Sequence, residues 1–250
     1  MIISQGDLPN QQRHYKRVVC LVPSLTELLY NLDMVPIAQT IFCVHPTTEF
    51  KSSIKIGGTK KVNISKTISL SPDLIIANKE ENEKDQIIQL SEHVDVYLTD
   101  IKTIQDSVEM IIELGSLIGR TAQSLKLAQT VKQGFNSVKI THSKSCLYLI
   151  WKDPYMAAGK QTFINAILEK CGYKNVLKED SRYPEISAQS IKNYNPEAIL
   201  LSSEPYPFRD IHLKELQSIL PNTDIKLVDG ELYSWYGSRL LKTLNMLQNL

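Results

Sequence analysis

The sequence lacks any apolar stretch long enough to span a membrane. No segment approaches the roughly 20 consecutive apolar residues that a transmembrane helix needs, although 42% of the 250 residues are hydrophobic. The first residues, M-I-I-S-Q-G-D-L-P, hold no apolar segment of the length found in a secretory signal. We therefore expect a cytoplasmic protein, and a periplasmic location is the alternative if a signal has been removed.

The sequence also lacks the motifs of several common chemistries. It contains no G-x-S-x-G, P-loop, G-x-G-x-x-G or H-E-x-x-H segment, so we predict that it is not an enzyme. A net charge of +1 without a long basic run argues against binding to nucleic acid. No C-x-x-C pair is present, and we expect no disulfide framework among the four cysteines: Cys20, Cys43, Cys146 and Cys171.

What the sequence does contain is an alternation of short apolar runs and helical patterns. Residues 17–22 (R-V-V-C-L-V) and 73–77 (D-L-I-I-A) are typical of strands buried on both faces. Strand and helix patterns alternate on both sides of residues 103–138, which implies parallel sheets. Residues 103–138 themselves carry apolar side chains at helical spacing and no proline, which predicts one long helix. Two helices broken near residues 119 and 120 are the alternative.

These patterns predict an α/β protein of two Rossmann-like lobes with parallel sheets. One long backbone helix joins the lobes, and a ligand cleft lies between them. The predicted limits are 1–102 for the N-terminal lobe, 103–138 for the connecting helix and 139–250 for the C-terminal lobe.

Five predicted loops with polar and aromatic residues follow these strands. They begin P-S-L-T-E at Pro23, F-C-V-H-P at Phe42, N-K-E-E-N at Asn78, S-S-E-P-Y-P-F at Ser202 and D-G-E-L-Y-S-W at Asp229. Ligands of open α/β sheets bind beyond the carboxyl ends of the strands, so the loops predict a site for a small ligand. The residues selected from these loops and the start of the next helix are Pro23, Ser24, His45, Asn78, Lys79, Glu204, Tyr206, Glu231, Trp235 and Arg239.

Several of these residues have more than one interpretation. We expect Trp235 to be exposed at the ligand site, whereas the position of Trp151 is left open. Arg239 either neutralises an anionic ligand or holds Glu231. Ser24 is expected to cap the helix that follows it.

A mixed metal site is a further hypothesis. A thiolate, an imidazole and a carboxylate from neighbouring loops could bind a metal ion, and the residues concerned are Cys43, His45 and Glu80. The alternative is that Cys43 packs in the interior and His45 hydrogen-bonds a backbone carbonyl. Glu80 could also serve only to open a helix with negative charge.

Motifs spread over the whole chain resemble one known family. R-V-V-C-L-V-P-S-L-T-E-L-L-Y, S-P-D-L-I-I-A, A-A-G-K-Q-T-F-I-N-A-I-L-E-K-C-G-Y-K-N-V and Y-G-S-R-L are similar, in this order, to segments of the helical-backbone periplasmic binding proteins. That family receives cobalamin, siderophores, haem or metal ions, and the resemblance is nearest to its cobalamin-binding members. It implies a non-enzymatic protein that binds a small ligand between its lobes, either a metal complex such as cobalamin, haem or a ferric siderophore, or a metal ion. A cytoplasmic relative with an enzymatic or regulatory role is the alternative.

The resemblance also implies roles for single residues. It places four side chains against the ligand: Phe42, Met156, Tyr183 and Glu231. Thr59 and Asn78 stand where the cobalamin-binding members have tryptophans, and Trp235 stands at a ligand-facing arginine. Because each aromatic buries roughly 150–250 Å², the loss of two reduces the contact available to a flat ring.

Partners follow from the same resemblance. The family docks on an ABC permease through one surface glutamate on each lobe, and Ser65 and Gln189 occupy those positions here. We expect a small-molecule ligand and a monomer. A permease remains a partner by resemblance, although the docking glutamates are absent.

Overall fold

The strands of the chain form two separate sheets. The computed structural model describes residues 1–8, 14–177 and 182–248, and its contacts divide the chain into two units. The first unit comprises residues 1–101, 105–133 and 235–240, and the second comprises residues 102–104, 134–234 and those from 241 onward. The return of residues 235–240 to the first unit is a feature that the sequence did not predict.

The first unit contains a five-stranded sheet in which every pair is parallel. Its strands are β1 (Ile2–Ser4), β2 (Val18–Cys20), β3 (Ala38–Gln39), β4 (Leu74–Asn78) and β5 (Asp95–Thr99), in the order β1-β5-β4-β2-β3. Helices α1 (Pro23–Asn31), α2 (Thr47–Ser52), α3 (Ile64–Ser69) and α4 (Lys84–Ser91) connect them. Apolar side chains from one face of this sheet and from helices α3 and α4 form a core cluster, which includes Leu21, Ile75 and Val96.

The predicted single helix over residues 103–138 is wrong, because the segment forms two helices. These are α5 (Ile104–Leu117) and α6 (Thr121–Ser137). Gly119 lies between them with φ +68, a left-handed conformation that glycine adopts readily at the end of a helix. The Arg120 amide donates to the Gly115 carbonyl at 2.7 Å, and the Ser124 amide donates to that of Arg120 at 3.0 Å. The chain therefore turns sharply at Gly119 and starts a new helix.

The second unit contains a six-stranded sheet that is mostly parallel. Its strands are β6 (Lys144–Trp151), β7 (Tyr155–Ala157), β8 (Tyr173–Asn175), β9 (Glu185–Ile186), β10 (Ala198–Ser202) and β11 (Asp224–Val228), in the order β11-β10-β6-β7-β9 with β8 on β6. The β6–β7 and β7–β9 pairs are antiparallel. Only residues 152–154 join β6 to β7, and a parallel crossover needs a dozen residues or more.

Helices and an apolar core complete the second unit. The helices are α7 (Phe163–Lys170), α8 (Ala188–Tyr194), α9 (Asp210–Ile219), α10 (Gly230–Ser234) and α11 (Leu240–Gln248). Leu147, Leu201, Phe208 and Leu216 are among the core residues. No helix within the described residues is both long and apolar enough to cross a membrane. The predicted α/β protein with two lobes built on parallel strands is confirmed, whereas the ligand cleft stays a prediction.

Candidate functional site

In the first unit, the chain passes from strand β2 directly into helix α1. Pro23 occupies the first helical position, where its missing N–H is not needed, and Val22 is the N-cap. The prediction that Ser24 caps this helix is therefore wrong, because the helix starts one residue earlier. Pro23 and Ser24 are both buried, so neither side chain presents a large surface to a ligand.

The loop after strand β3 presents one aromatic ring to solvent. Phe42 is 54% exposed, and its ring lies so close to Gly58 that a Cβ there would be 3.1 Å from Phe42 Cε2. His45, at the other end of the loop, is half-buried and meets Trp235 edge-on at 5.5 Å between ring centroids. Phe42 is thus well placed to contact a ligand, as the resemblance implies.

The predicted metal site of Cys43, His45 and Glu80 is not formed. Cys43 is fully buried, and its Sγ lies 3.1 Å from both Thr26 Oγ1 and Thr40 Oγ1. Burial raises the pKa of this thiol. No group of three His, Cys, Asp or Glu side chains suited to a metal ion occurs in residues 1–8, 14–177 and 182–248. The packed cysteine that the sequence left as an alternative is what the structure shows.

The buried thiols allow a prediction about reactivity. All four cysteines are buried, and burial raises the pKa of each, that of Cys171 to about 12. Since the thiolate is the reactive form, the native chain should release less than roughly 0.2 equivalents of thionitrobenzoate from Ellman's reagent within minutes at pH 8. In guanidinium chloride all four thiols should react. A Ser65→Cys variant supplies an exposed positive control, and rapid native labelling of Cys43 would contradict the assignment.

The loop after strand β4 is closed by Asn78. Its buried side chain accepts from the amides of Glu80 and Glu81 at 2.8 and 3.3 Å and donates to Thr99 Oγ1 at 3.1 Å. The prediction that Asn78 contacts ligand is therefore wrong, because its polar atoms hold the loop together. Its neighbour Lys79 is exposed and pairs with Asp100 at 3.3 Å.

Three further residues are considered with this loop: Thr59, Tyr236 and Glu80. Half-buried Thr59 accepts from Asn82 Nδ2 at 3.0 Å through its carbonyl oxygen. The Tyr236 hydroxyl donates to Glu81 Oε1 at 3.2 Å. Burial, followed by the charge of Glu81, raises the pKa of Tyr236 well above its ordinary value, so this phenol stays a hydrogen-bond donor. Glu80 is half-buried.

A buried ion pair connects residues 235–240 to helix α1. Arg239 Nε donates to Glu27 Oε2 at 2.8 Å, and the two side chains are only 4% and 8% exposed. The guanidinium also lies 4.8 Å from the ring centroid of Trp235. Trp235 is 7% exposed, so its predicted exposure at the ligand site is wrong. Arg239 holds Glu27, an acidic partner that the sequence did not predict because it comes from a helix more than 200 residues away.

In the second unit, two carboxylates follow strands β10 and β11. Half-buried Glu204 accepts from Ser234 Oγ at 3.0 Å through Oε1, and the Glu204–Pro205 peptide is cis. Glu231, also half-buried, lies in the first turn of α10, and its amide donates to Asp229 Oδ1 at 3.1 Å. Because parallel strands end at one edge of the sheet, both carboxylates belong to the same loop region.

Four rings of the second unit form an aromatic cluster: Trp151, Tyr206, Phe208 and His212. Trp151 ends strand β6 and is 40% exposed, whereas Phe208 is buried. Half-buried Met156 is the cross-strand partner of Trp151, and Tyr183 is half-buried as well. The sequence analysis left the position of Trp151 open. The available signal for its exposure was its place at a strand end, followed by charged residues.

The geometry of both loop regions suits binding better than covalent chemistry. Exposed rings, a lysine and half-buried carboxylates follow the strands, while the Cys43 thiol is buried. These features define a ligand-binding protein built on two α/β units.

Comparison with known proteins agrees with this class. The family model described as periplasmic binding protein matches residues 18–219, and the chain belongs to that family. A vitamin B12-binding protein of Salmonella typhi is 24% identical over 195 residues, covering 75% of this chain and 73% of the relative. The ABC transporter substrate-binding lipoprotein YvrC of Bacillus subtilis is 28% identical over 216 residues, covering 79% and 68%. The solved haem-binding protein RhuT of Roseiflexus superposes with a TM-score of 0.79 at 18% identity, covering 94% and 98%.

These comparisons settle three predictions from the sequence. The resemblance to periplasmic binding proteins and the prediction of a non-enzymatic ligand-binding protein are confirmed. The predicted cytoplasmic location is wrong, because the matching family is periplasmic and the relatives include a substrate-binding lipoprotein. That prediction depended on the first few residues, which do not determine the compartment. The predicted partners, a small-molecule ligand and an ABC transporter, agree with the same relatives.

Proposed function

We propose that the chain is the substrate-binding component of an ABC importer for a metal complex such as cobalamin, haem or a ferric siderophore. The match to a vitamin B12-binding protein over three quarters of the chain carries the proposal. Haem-binding structures with the same fold extend the ligand class from cobalamin to haem, and the resemblance to the family adds ferric siderophores. The protein would act outside the cytoplasmic membrane and pass its ligand to a permease.

Side chains at the strand ends support this ligand class. The proposed contacts in the first unit are Phe42, His45, Lys79 and Glu80, and those in the second are Met156, Tyr183, Glu204, Tyr206 and Glu231. Thr59 offers no aromatic surface where the cobalamin-binding members have tryptophan, and Asn78 is committed to its own loop. Ring contact would therefore have to come from Phe42 and from the aromatic side chains of the second unit.

Docking on the permease would differ from the family pattern. Ser65 and Gln189 are both exposed and occupy the second position of helices α3 and α8, which begin after the capping residues Asn63 and Ser187. A carboxylate at either position could form a charge-assisted hydrogen bond with arginine, and these uncharged side chains cannot. We propose that the chain acts as a monomer and uses other contacts at these two helices.

Equilibrium binding tests the proposed function. Purified, ligand-free protein should bind at least one of cyanocobalamin, hemin, a ferric tris-catecholate and a ferric trihydroxamate with a Kd of about 1 µM or below, equivalent to about −8 kcal/mol. Isothermal titration calorimetry measures the affinity, and circular dichroism verifies that the sample is folded. A folded sample that binds none of the four at about 100 µM would refute the proposal.

A further inference from the structure

A cavity of about 780 Å³ lies in the second unit, away from the loops that follow the strands. Ser145, the second residue of β6, and the short strand β8 line one side, and residues of α7 and α8 line the others. Trp151 ends the same strand six residues after Ser145, which is about 20 Å further along the sheet. The cavity is therefore at the amino end of β6 and is separate from the candidate functional site.

The wall formed by β8 is fixed by contacts with residues before β6. Within the described residues, β8 pairs with β6 alone, and residues 173–175 all line the cavity. Gly172 leads into this strand with φ +77, and a Cβ there would lie 2.6 Å from the His142 carbonyl oxygen. The Tyr173 ring meets the His142 ring edge-on at 5.9 Å between centroids. This wall is thus built into the fold.

Two asparagines hold a second part of the lining in place. Asn165 is only 6% exposed, and it accepts from Asn175 Nδ2 at 3.1 Å through Oδ1. Asn165 Nδ2 in turn donates to Glu169 Oε1 at 2.9 Å. No hydrogen bond joins the other carboxylate oxygen, Glu169 Oε2, to the part of the chain that the structure describes. An ordered carboxylate oxygen is therefore available to accept a hydrogen bond from a ligand.

Two lysines give the cavity an excess of positive charge. Lys160 and Lys174 both line it and are exposed, and Glu169 is the one acidic residue among the lining side chains. Neither ammonium group has an ion-pair partner among residues 1–8, 14–177 and 182–248, where the paired lysines are others: Lys60, Lys79, Lys152 and Lys226. Each ammonium supplies three hydrogen-bond donors, so the lining suits a ligand with an anionic group.

We propose that this cavity binds a small hydroxylated molecule that carries a carboxylate or phosphate group. Lys160 and Lys174 bind the anionic group, and Glu169 Oε2 accepts from a hydroxyl group. A bare inorganic ion would fill only a small part of 780 Å³, whereas pockets of about 300–1,000 Å³ are typical for small molecules. The site is additional to the proposed import function and does not depend on it.

Calorimetric titration with four probes tests the ligand class. Glucuronate and glucose differ in one group, a carboxylate in place of a hydroxymethyl, while glycerol phosphate and inorganic phosphate compare a carried phosphate with a free one. Glucuronate or glycerol phosphate should bind with a Kd of about 1 mM or below, and glucose should bind at least about tenfold more weakly than glucuronate. The proposal is overturned if both carried anions fail to bind at about 10 mM, or if inorganic phosphate binds as tightly as they do.

Charge-neutralising variants locate the binding. Lys160→Gln and Lys174→Gln should each weaken binding of the anionic probe by about tenfold, because each removes a charge-assisted hydrogen bond. Lys192→Gln is the matched control, since Lys192 is an exposed lysine of α8 that does not line the cavity, and it should leave the Kd within about twofold of the native value. Equal losses for all three variants would reveal a general effect of net charge and contradict the proposal.

Lysine acetylation provides a second measurement on the unsubstituted protein. A water-soluble acetylating ester modifies exposed ammonium groups, and mass spectrometry gives the rate at each lysine. A saturating anionic probe should slow the acetylation of Lys160 and Lys174 by about threefold or more, because a bound anion covers both side chains, and should leave Lys192 unchanged. A probe that binds without protecting either cavity lysine occupies a different site, which overturns the inference and leaves the proposed import function intact.

Discussion

Glu27→Gln is expected to lower the free energy of unfolding of the first unit by about 3–5 kcal/mol, the usual cost of removing one partner of a buried ion pair. Glu27 accepts from Arg239 Nε at 2.8 Å, and both residues are almost completely buried. Glutamine keeps the shape of the side chain but removes the negative charge that faces the guanidinium. Urea unfolding, followed through Trp235 fluorescence in a Trp151→Phe background, measures the loss next to the affected pair.

An exposed pair in the same unit gives the matched control. Glu83 lies 3.3 Å from Lys60, and both side chains are more than half exposed, so Glu83→Gln should cost less than about 1 kcal/mol. Replacing Glu27 and Arg239 together by leucine should recover part of the loss, because no uncompensated charge then remains buried. Equal costs for Glu27→Gln and Glu83→Gln would show that the buried pair has no special role.

The central strands could be predicted from the sequence because burial on both faces leaves a nearly continuous apolar run. The run at residues 73–77 corresponds to β4 (Leu74–Asn78), whose five residues are all buried. Strand β1 (Ile2–Ser4) has only three residues and owes its conformation to pairing with β5. Such a strand depends on a neighbour over 90 residues away and leaves almost no local pattern.

The break between helices α5 and α6 was harder to predict than the helices themselves. Both helices bury apolar side chains, so the periodic pattern continues across the break with little change. Gly119 was the one strong local signal, and a glycine inside a helical pattern is also compatible with an unbroken helix at a cost of about 1 kcal/mol. Tertiary contacts decide between a broken and an unbroken helix. At Gly119 the backbone lies so close to His14 that a Cβ would be 3.2 Å from His14 Cγ.

The positions of the site loops were predicted better than the exposure and the contacts of their side chains. Strand ends locate a loop, which is why His45 and Glu204 were selected. Polar neighbours suggested that Trp235 is exposed, but His45 and Arg239 cover it. The partners that bury such a residue come from distant parts of the chain, and local composition does not report them.

Gly115→Ala is expected to lower the free energy of unfolding by about 1–3 kcal/mol, the range for overpacking a well-filled interior. Alanine is favoured over glycine in a helix by about 1 kcal/mol, so propensity alone predicts the opposite sign. A Cβ on Gly115 of α5 would collide with Ser124 Cβ and Oγ of α6 and lie 3.2 Å from the Arg120 carbonyl oxygen. Ser124 is fully buried and its Cβ cannot rotate away, so the two helices would have to separate. Urea unfolding measures the change.

Two further variants distinguish this collision from a general effect of glycine replacement. Ser124→Gly removes the opposing Cβ, and combined with Gly115→Ala it should restore most of the lost stability, because the methyl group then occupies the vacated space. Gly134→Ala in α6 would meet mainly the terminal methyl groups of Leu244, which can change rotamer, so we expect a change between about −1 and +1 kcal/mol from propensity and limited crowding. If Gly115→Ala stabilises the chain, or if Ser124→Gly fails to rescue it, the close approach of α5 and α6 at this point is not what requires the glycine.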